Sequence, residues 1–307
     1  MEYSTNDKAE LEHKIQKLLC EEITHFSLKG KGWCNNAYYV ETREGGKYIV
    51  KQESDDKRGT EQNNLVIEAN LIQKLSKLGL SVPVPSVVFV SENPRMYCYK
   101  YIEGEILRDV WEFFSEEEKI NTCHTVGLFH AEIGKIFTKE MARTSGIKID
   151  ESADVHPEVT DEYNKALINS ELPDNFKKLL TEAKKTFDST SDKAVFQFIH
   201  NDSHHENIII QNGKISGIID FGNAEWGEVA KDFSRYIRDY PRYFQYIVSA
   251  YEKKSENKLS YERLVNDALV CGVADIVEDY MNGGENRARA ENTITTYKKL
   301  IAEVKGK

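Results

Sequence analysis

The sequence predicts a two-lobed α+β protein, and three observations carry that reading. The first third is a series of short apolar runs of strand length. The remainder is dominated by long helical periodicity. The change of character falls at one point, Tyr101 to Gly104. Two lobes follow, residues 1–102 and 103–307. With 307 residues and 40% hydrophobic content, the chain can bury a sizeable core in each.

Residues 8–25 have helical spacing through Leu11, Ile15, Leu18 and Leu19. Strand-like runs follow at 23–28, 37–42 and 47–52, the last two joined by the turn Glu44-Gly45-Gly46. A helix through Leu65, Ile67, Leu71, Ile72 and Leu75 stops at Gly79. Residues 82–85 read as extended, and 87–90 with 96–102 as a second hairpin. Beyond Gly104, helical patterns fill 105–141, 160–187, 229–254 and 259–281, and strands are confined to 195–220.

No window approaches the ~18 apolar residues that span a bilayer, and the polar N-terminus is unlike a secretory leader. Five scattered cysteines, never paired as C-x-x-C, suit reduced thiols and a cytoplasmic location. The formal charge is −10. Residues 1–100 balance at zero, so the whole excess lies beyond residue 100. That distribution disfavours nucleic acid as a partner and would attract a cationic ligand. A plain solvated acidic surface is the competing explanation.

The stretch FIHNDSHHENIII, residues 198–210, interrupts an apolar run with chemistry. Its flanks read as two strands and its polar insert as the loop between them. One reading is a metal site of His200, Asp202, His204 and His205, like the loops of zinc hydrolases. Such a site needs further ligands, and His124, His130 and His156 form no comparable cluster. The other reading is the reacting loop of a phosphotransferase. Asp202 and Asn207 share one loop, and thirteen residues on, an apolar strand delivers Asp220 into Phe221-Gly222. Two hard oxygen donors on adjacent loops suit Mg²⁺ completed by phosphate oxygens. An aspartate beside them can orient or deprotonate an acceptor hydroxyl.

The pattern His200-x-Asp202-x₄-Asn207, followed by Asp220-Phe221-Gly222, resembles the antibiotic phosphotransferase family: aminoglycoside and macrolide kinases with a protein-kinase-like fold. The resemblance spans roughly residues 30–280. It implies Asp202 as the catalytic base, Asn207 and Asp220 as magnesium ligands, and His200 and Asp232 as braces of the loop. Lys51, ending a strand, would reach the phosphates and pair with Glu68 on the next helix. Gly30, Gly32, Asn35 and Asn36 lie in a stretch resembling the family's nucleotide loop. Backbone groups at Lys100 and Ile102 would bind the purine edge.

Asp232-Phe233 follows Asp220 by only twelve residues, with no A-P-E, which leaves no room for a peptide-docking segment. A small-molecule acceptor is therefore expected, with no nucleic-acid or membrane partner. Asp275, Glu278 and Asp279 fall on one face of a helical pattern. They look like the terminal substrate helix of aminoglycoside 2''-phosphotransferases, implying a cationic amino sugar. The expected activity is transfer of a phosphoryl group from ATP or GTP, with Mg²⁺, to a hydroxyl. A macrolide, a choline-like or sugar-like metabolite, a zinc hydrolase and a non-catalytic nucleotide-binding protein are the alternatives.

Overall fold

The computed structural model describes residues 5–32, 35–54, 65–154 and 157–305. Trp33 and Cys34 of the glycine-containing stretch, and His156, lie outside the described residues.

The first lobe begins with helix α1 (Thr5–Leu19) and strands β1 (Ile23–Lys31), β2 (Asn35–Thr42) and β3 (Lys47–Glu53). Helix α2 (Leu65–Leu75) and the hairpin β4 (Val87–Glu92) and β5 (Arg95–Lys100) complete it. The five strands form one antiparallel sheet in the order β1-β2-β3-β5-β4. Both faces are covered, so the period-2 alternation of the strands sorts their side chains between two cores. Tyr48, Val50, Met96 and Cys98 pack with Phe26, Tyr38 and Val40 against Leu11 and Ile15 of α1. Ile49, Tyr97 and Tyr99 face the other way, toward Leu65, Leu71, Ile72 and Leu75 of α2. Lys51 therefore shares the α2 face with Ile49, and that alternation aims it at a helix.

Gly104 joins the lobes with φ +139°, and a Cβ there would lie 2.3 Å from the Ile210 carbonyl oxygen. Only glycine fits. Next to it β6 (Glu105–Ile106) pairs with β8 in a three-stranded sheet ordered β6-β8-β9. The 105–141 pattern is thus not one helix. It breaks into β6, α3 (Leu107–Val110), a 3₁₀ turn (Trp111–Phe113), α4 (Glu116–Ile136) and α5 (Lys139–Ser145). The cause is local: Ser115 and Glu118 form a reciprocal capping box that starts α4, and the Thr138 side chain caps α5.

The other long patterns break for similar reasons. Helices α6 (Pro157–Ile168) and α7 (Asp174–Ser189) part before Pro173. Strands β7 (Phe196–Ile199), β8 (Ile208–Gln211), β9 (Lys214–Ile218) and β10 (Glu225–Glu228) follow, with β10 pairing β7. Helices α8 (Ala230–Asp239) and α9 (Phe244–Ser255) part at Pro241, and α10 (Tyr261–Cys271) and α11 (Val273–Asn282) at Gly272. A last helix, α12 (Gly284–Lys305), was not expected. It buries Ala290, Ile294, Tyr297 and Ile301 on one stripe. One apolar core runs from the α2 face through Phe129, Phe198, Phe221 and Phe233 into α10. Among the described residues no helix is long and apolar enough to cross a membrane.

Candidate active site

Lys51 on β3 is 7% exposed and Glu68 on α2 is 2% exposed. The Lys51 ammonium donates to both Glu68 oxygens, at 3.0 and 3.1 Å, and to Asp220 Oδ1 at 2.8 Å. Burial alone favours the neutral amine, but Asp220 and Glu68 overcome it and hold Lys51 above its ordinary pKa. The Asp220 carboxyl is pushed up by burial and pulled further down by Lys51, so it stays ionised. Its backbone is left-handed, φ +67°, although its side chain is 43% exposed. For a non-glycine residue that conformation is strained and clusters at functional sites.

Residues 200–207 leave β7, pass through a short 3₁₀ turn and enter β8. Asp232, buried on α8, accepts from the backbone N–H groups of His200 (3.0 Å) and Asn201 (2.7 Å). The His200 ring donates from Nε2 to the Ile219 carbonyl at 2.9 Å and packs 4.5 Å from the Phe221 ring. Burial lowers the His200 pKa despite Asp232, which keeps the ring neutral and fixes this tautomer. The Asn207 amide donates to the Asp202 carbonyl at 2.9 Å, and the Ile219 N–H donates to the Asn207 carbonyl at 3.0 Å. One chain of bonds thus joins Asp202, Asn207, Asp220, Lys51 and Glu68.

Asp202 itself is 23% exposed, with Arg235 Nη2 at 3.4 Å and His204 Nε2 at 3.6 Å. Burial raises its pKa, but the His204 contact and the Arg235 guanidinium outweigh that and bring it to about 2. The carboxylate is ionised and weakly basic.

Four residues that sequence spacing did not assign to the site complete this loop. His130 of α4 contacts Asp232 Oδ2 (3.2 Å), Ser203 Oγ (3.1 Å) and Tyr236 OH (3.2 Å), and Ser203 also bonds Tyr236. Arg235 is the fourth. As expected, His130 joins no metal-ligating group among the described residues; its partners form the brace beneath the loop. It lies 72 residues before Asp202, on an apolar helix face, so only folding reveals it.

The remaining expected residues fall on the same sheet or nearby. Gly32 N–H donates to the Asn35 carbonyl at 2.8 Å, and both Asn35 and Asn36 are buried. Asn36 pairs with Gln52, one residue from Lys51. At the lobe joint the Lys100 N–H donates to the Ser86 carbonyl at 3.0 Å and the Tyr101 N–H to the Lys47 carbonyl at 2.9 Å, with Ile102 the next residue on. A cavity of about 510 Å³ opens beyond the loop, walled by β10 and helices α7, α8, α10 and α11, and includes Asn201, Arg235 and Asp275. Its wall does not include Glu278 or Asp279. Asp275 receives Arg238 at 2.7 Å, Asp279 receives Arg289 at 2.7 Å, and Glu278 is exposed.

As for a metal, the Asn207 amide nitrogen bonds the Asp202 carbonyl, so its side-chain oxygen and the Asp220 carboxylate are the hard donors the two loops offer. Two such donors fit a hard ion that takes its other ligands from phosphate and water. Among the described residues no group of three His, Cys, Asp or Glu side chains could hold a metal.

The sequence profile of the phosphotransferase enzyme family matches residues 26–258. The chain belongs to that family. The zinc-hydrolase and non-catalytic alternatives fall with this match: the chain is a phosphotransferase. Solved structures share its fold. Aminoglycoside 2'-phosphotransferase-IIIa in its GDP complex superposes with TM-score 0.70 at 17% identity, covering 98% of this phosphotransferase and 99% of that chain. The streptomycin–ATP ternary complex of APH(2")-IIa gives 0.59 at 19%, covering 89% and 88%. Macrolide 2'-phosphotransferase type I gives 0.66 at 13%, covering 95% and 98%. No curated protein sequence matches this phosphotransferase.

Proposed function

We propose that this phosphotransferase moves the γ-phosphoryl group of ATP or GTP to a hydroxyl of an aminoglycoside-type amino sugar. The observation that carries the reading is the Lys51–Glu68–Asp220 contact, joined through Ile219 and Asn207 to Asp202. Lys51, kept charged by two carboxylates, would hold phosphate oxygens, and Glu68 keeps it aimed when Asp220 turns to another cation. Asn207 and Asp220 would hold Mg²⁺, which when bound would supply positive charge to neutralise the phosphates. Gly32, Asn35 and Asn36 would border the phosphates, and the Lys100 carbonyl with the Ile102 backbone would meet the purine edge.

Asp202 would accept a hydrogen bond from the acceptor hydroxyl and point its oxygen at the phosphorus. With a pKa of about 2 it is a poor proton acceptor at neutral pH, so orientation outweighs early deprotonation. Asp232, His200 and His130 would keep that loop fixed. The acceptor would lie in the 510 Å³ cavity with Asp275 on its wall, while Glu278 and Asp279 contribute only to the surrounding field. A second reading, a macrolide with a single basic amine, draws support from a cavity whose acids are mostly paired with bases. A cytoplasmic location accords with the scattered free thiols.

The test is nucleoside-diphosphate release with Mg²⁺, across aminoglycosides, macrolides and small metabolites, with ATP and with GTP. Acceptor-dependent release with an amino sugar is expected. Release that no acceptor stimulates would remove the reading.

A further inference from the structure

Charged side chains crowd the wall of the acceptor cavity, and nearly all are already answered. Glu225 accepts from Lys231 at 2.7 Å and lies 3.5 Å from Lys148. Glu228 takes two guanidinium nitrogens of Arg263, one at 2.6 Å. Arg238 reaches Asp275, and Arg235 leans toward Asp202. Asp154 stands exposed to water.

Asp267 of α10 differs from all of these. It lines the same cavity and is 3% exposed. Its Oδ1 takes only the Cys271 thiol, at 3.3 Å, and its buried Oδ2 has no hydrogen-bond partner. Burial and the neighbouring Glu228 push its pKa up to about 7, outweighing the Cys271 thiol and the charges of Arg263 and Lys231. A buried acceptor without a donor is destabilising, and such groups in folded proteins call for an explanation. A ligand that brings the donor supplies one.

We propose that Asp267 seats one ammonium group of the acceptor and sets the site's requirement for a charged amine. The inference rests on the phosphotransfer reading for the meaning of "acceptor", but its test reads binding rather than turnover. The neighbouring cations constrain the ligand further. With Glu225, Glu228 and Asp275 engaged, Asp267 is the buried carboxylate of this wall that no basic side chain bonds, so one amine finds a seat there and a second does not. Charge recognition then concentrates on α10, while the exposed face of α11 contributes little.

The experiment is calorimetric titration of the full-length protein with kanamycin and with its per-N-acetylated form, which has lost its charges. Wild type, Asp267→Asn and Asp267→Ala are compared, and thermal unfolding checks that each variant is folded. Wild type is expected to prefer the amine by at least tenfold. Either variant should reduce that preference to about twofold or less and leave ATP or GTP affinity unchanged. Asparagine keeps the shape, so a loss confined to the charged probe cannot be a packing effect, and the alanine variant serves if the asparagine variant does not fold. Retained preference in the folded variant overturns the proposal, as does a wild type that binds neither probe or both equally. A protein that binds as expected but releases no nucleoside diphosphate overturns the phosphotransfer reading alone.

Discussion

At the proposed phosphate end of the site, Lys51 is almost wholly buried and answers two carboxylates; at the proposed acceptor end, Asp267 is equally buried and meets only the Cys271 thiol. On the proposed reading the two ends would meet ligands of different character. A nucleotide brings dense negative charge and its metal, so the protein must hold a cation in place beforehand, and paired carboxylates do that. An acceptor brings a hydroxyl and a polar periphery, so its seat is better left open than filled. Between the two stands the loop of Asp202, held from beneath by Asp232 and His130. The loop is braced from beneath, and on the cavity wall the buried side-chain atom without a hydrogen-bond partner is Asp267 Oδ2.

The strongest way to break this contrast is at Lys51. Lys51→Ala should lower kcat/KM by at least a hundredfold. It should also cost about 3–5 kcal/mol of stability in denaturant unfolding, because Glu68 is left buried without a cation. The double variant Lys51→Met with Glu68→Leu should regain most of that stability and none of the activity. Stability that ignores Lys51→Ala would mean the pair is not buried as described.

Asp232 comes next. Asp232→Ala strands two backbone N–H groups and His130, and should cost about 3–4 kcal/mol. Burial opposes its ionisation, but His130 and His200 hold its pKa below the ordinary carboxylate value. A depressed acid stabilises the fold above its unfolded pKa of about 4, and that share is lost as pH falls through the folded value. The urea midpoint of wild type should therefore fall more steeply below pH 4 than that of Asp232→Asn. Parallel curves would show that Asp232 is not ionised in its place.

A smaller effect separates orientation from proton abstraction. Since Asp202 titrates near 2, kcat/KM should show no acid limb from this residue between pH 5 and 8. A limb near pH 6 that disappears in Asp202→Asn would assign it the role of a tuned base. The smallest effect is expected on α11. Asp275→Asn with Asp279→Asn should raise the acceptor KM by about threefold or less, because both carboxylates already hold arginines at the surface. A tenfold rise would return the acidic face of α11 to the centre of acceptor recognition.

The Lys51–Glu68 pair and the grouping of Asp202, Asn207 and Asp220 were legible in the sequence because their parts are local. Lys51 sits in a strand whose alternation can be counted, Glu68 lies mid-helix among leucines, and Asp202, Asn207 and Asp220 fall within about twenty residues. The acceptor end was not. Its wall draws Lys148, Phe187, Asp267 and Asp275 from separate elements, and no periodicity announces a cavity. Asp267 looks like one more polar residue in VNDALVCG until α10 packs against α7, α8 and α12. Helix boundaries were missed where caps and prolines overruled periodicity, at Ser115, Pro173 and Pro241. Helix α12 was missed although Ala290, Ile294, Tyr297 and Ile301 carry a readable stripe.

The central claim is that the Asp202 loop directs phosphoryl transfer from a nucleotide held by Lys51. It is tested most directly by mass-spectrometric detection of a phosphorylated acceptor, with wild type and Asp202→Asn run side by side in Mg²⁺ and ATP or GTP. Nucleotide affinity is measured on both proteins. The account predicts a phosphorylated amino sugar from wild type. It predicts a ~10²–10⁴-fold lower rate from Asp202→Asn, with nucleotide affinity unchanged. Equal rates from the two proteins, or no phosphorylated acceptor from wild type, would contradict it.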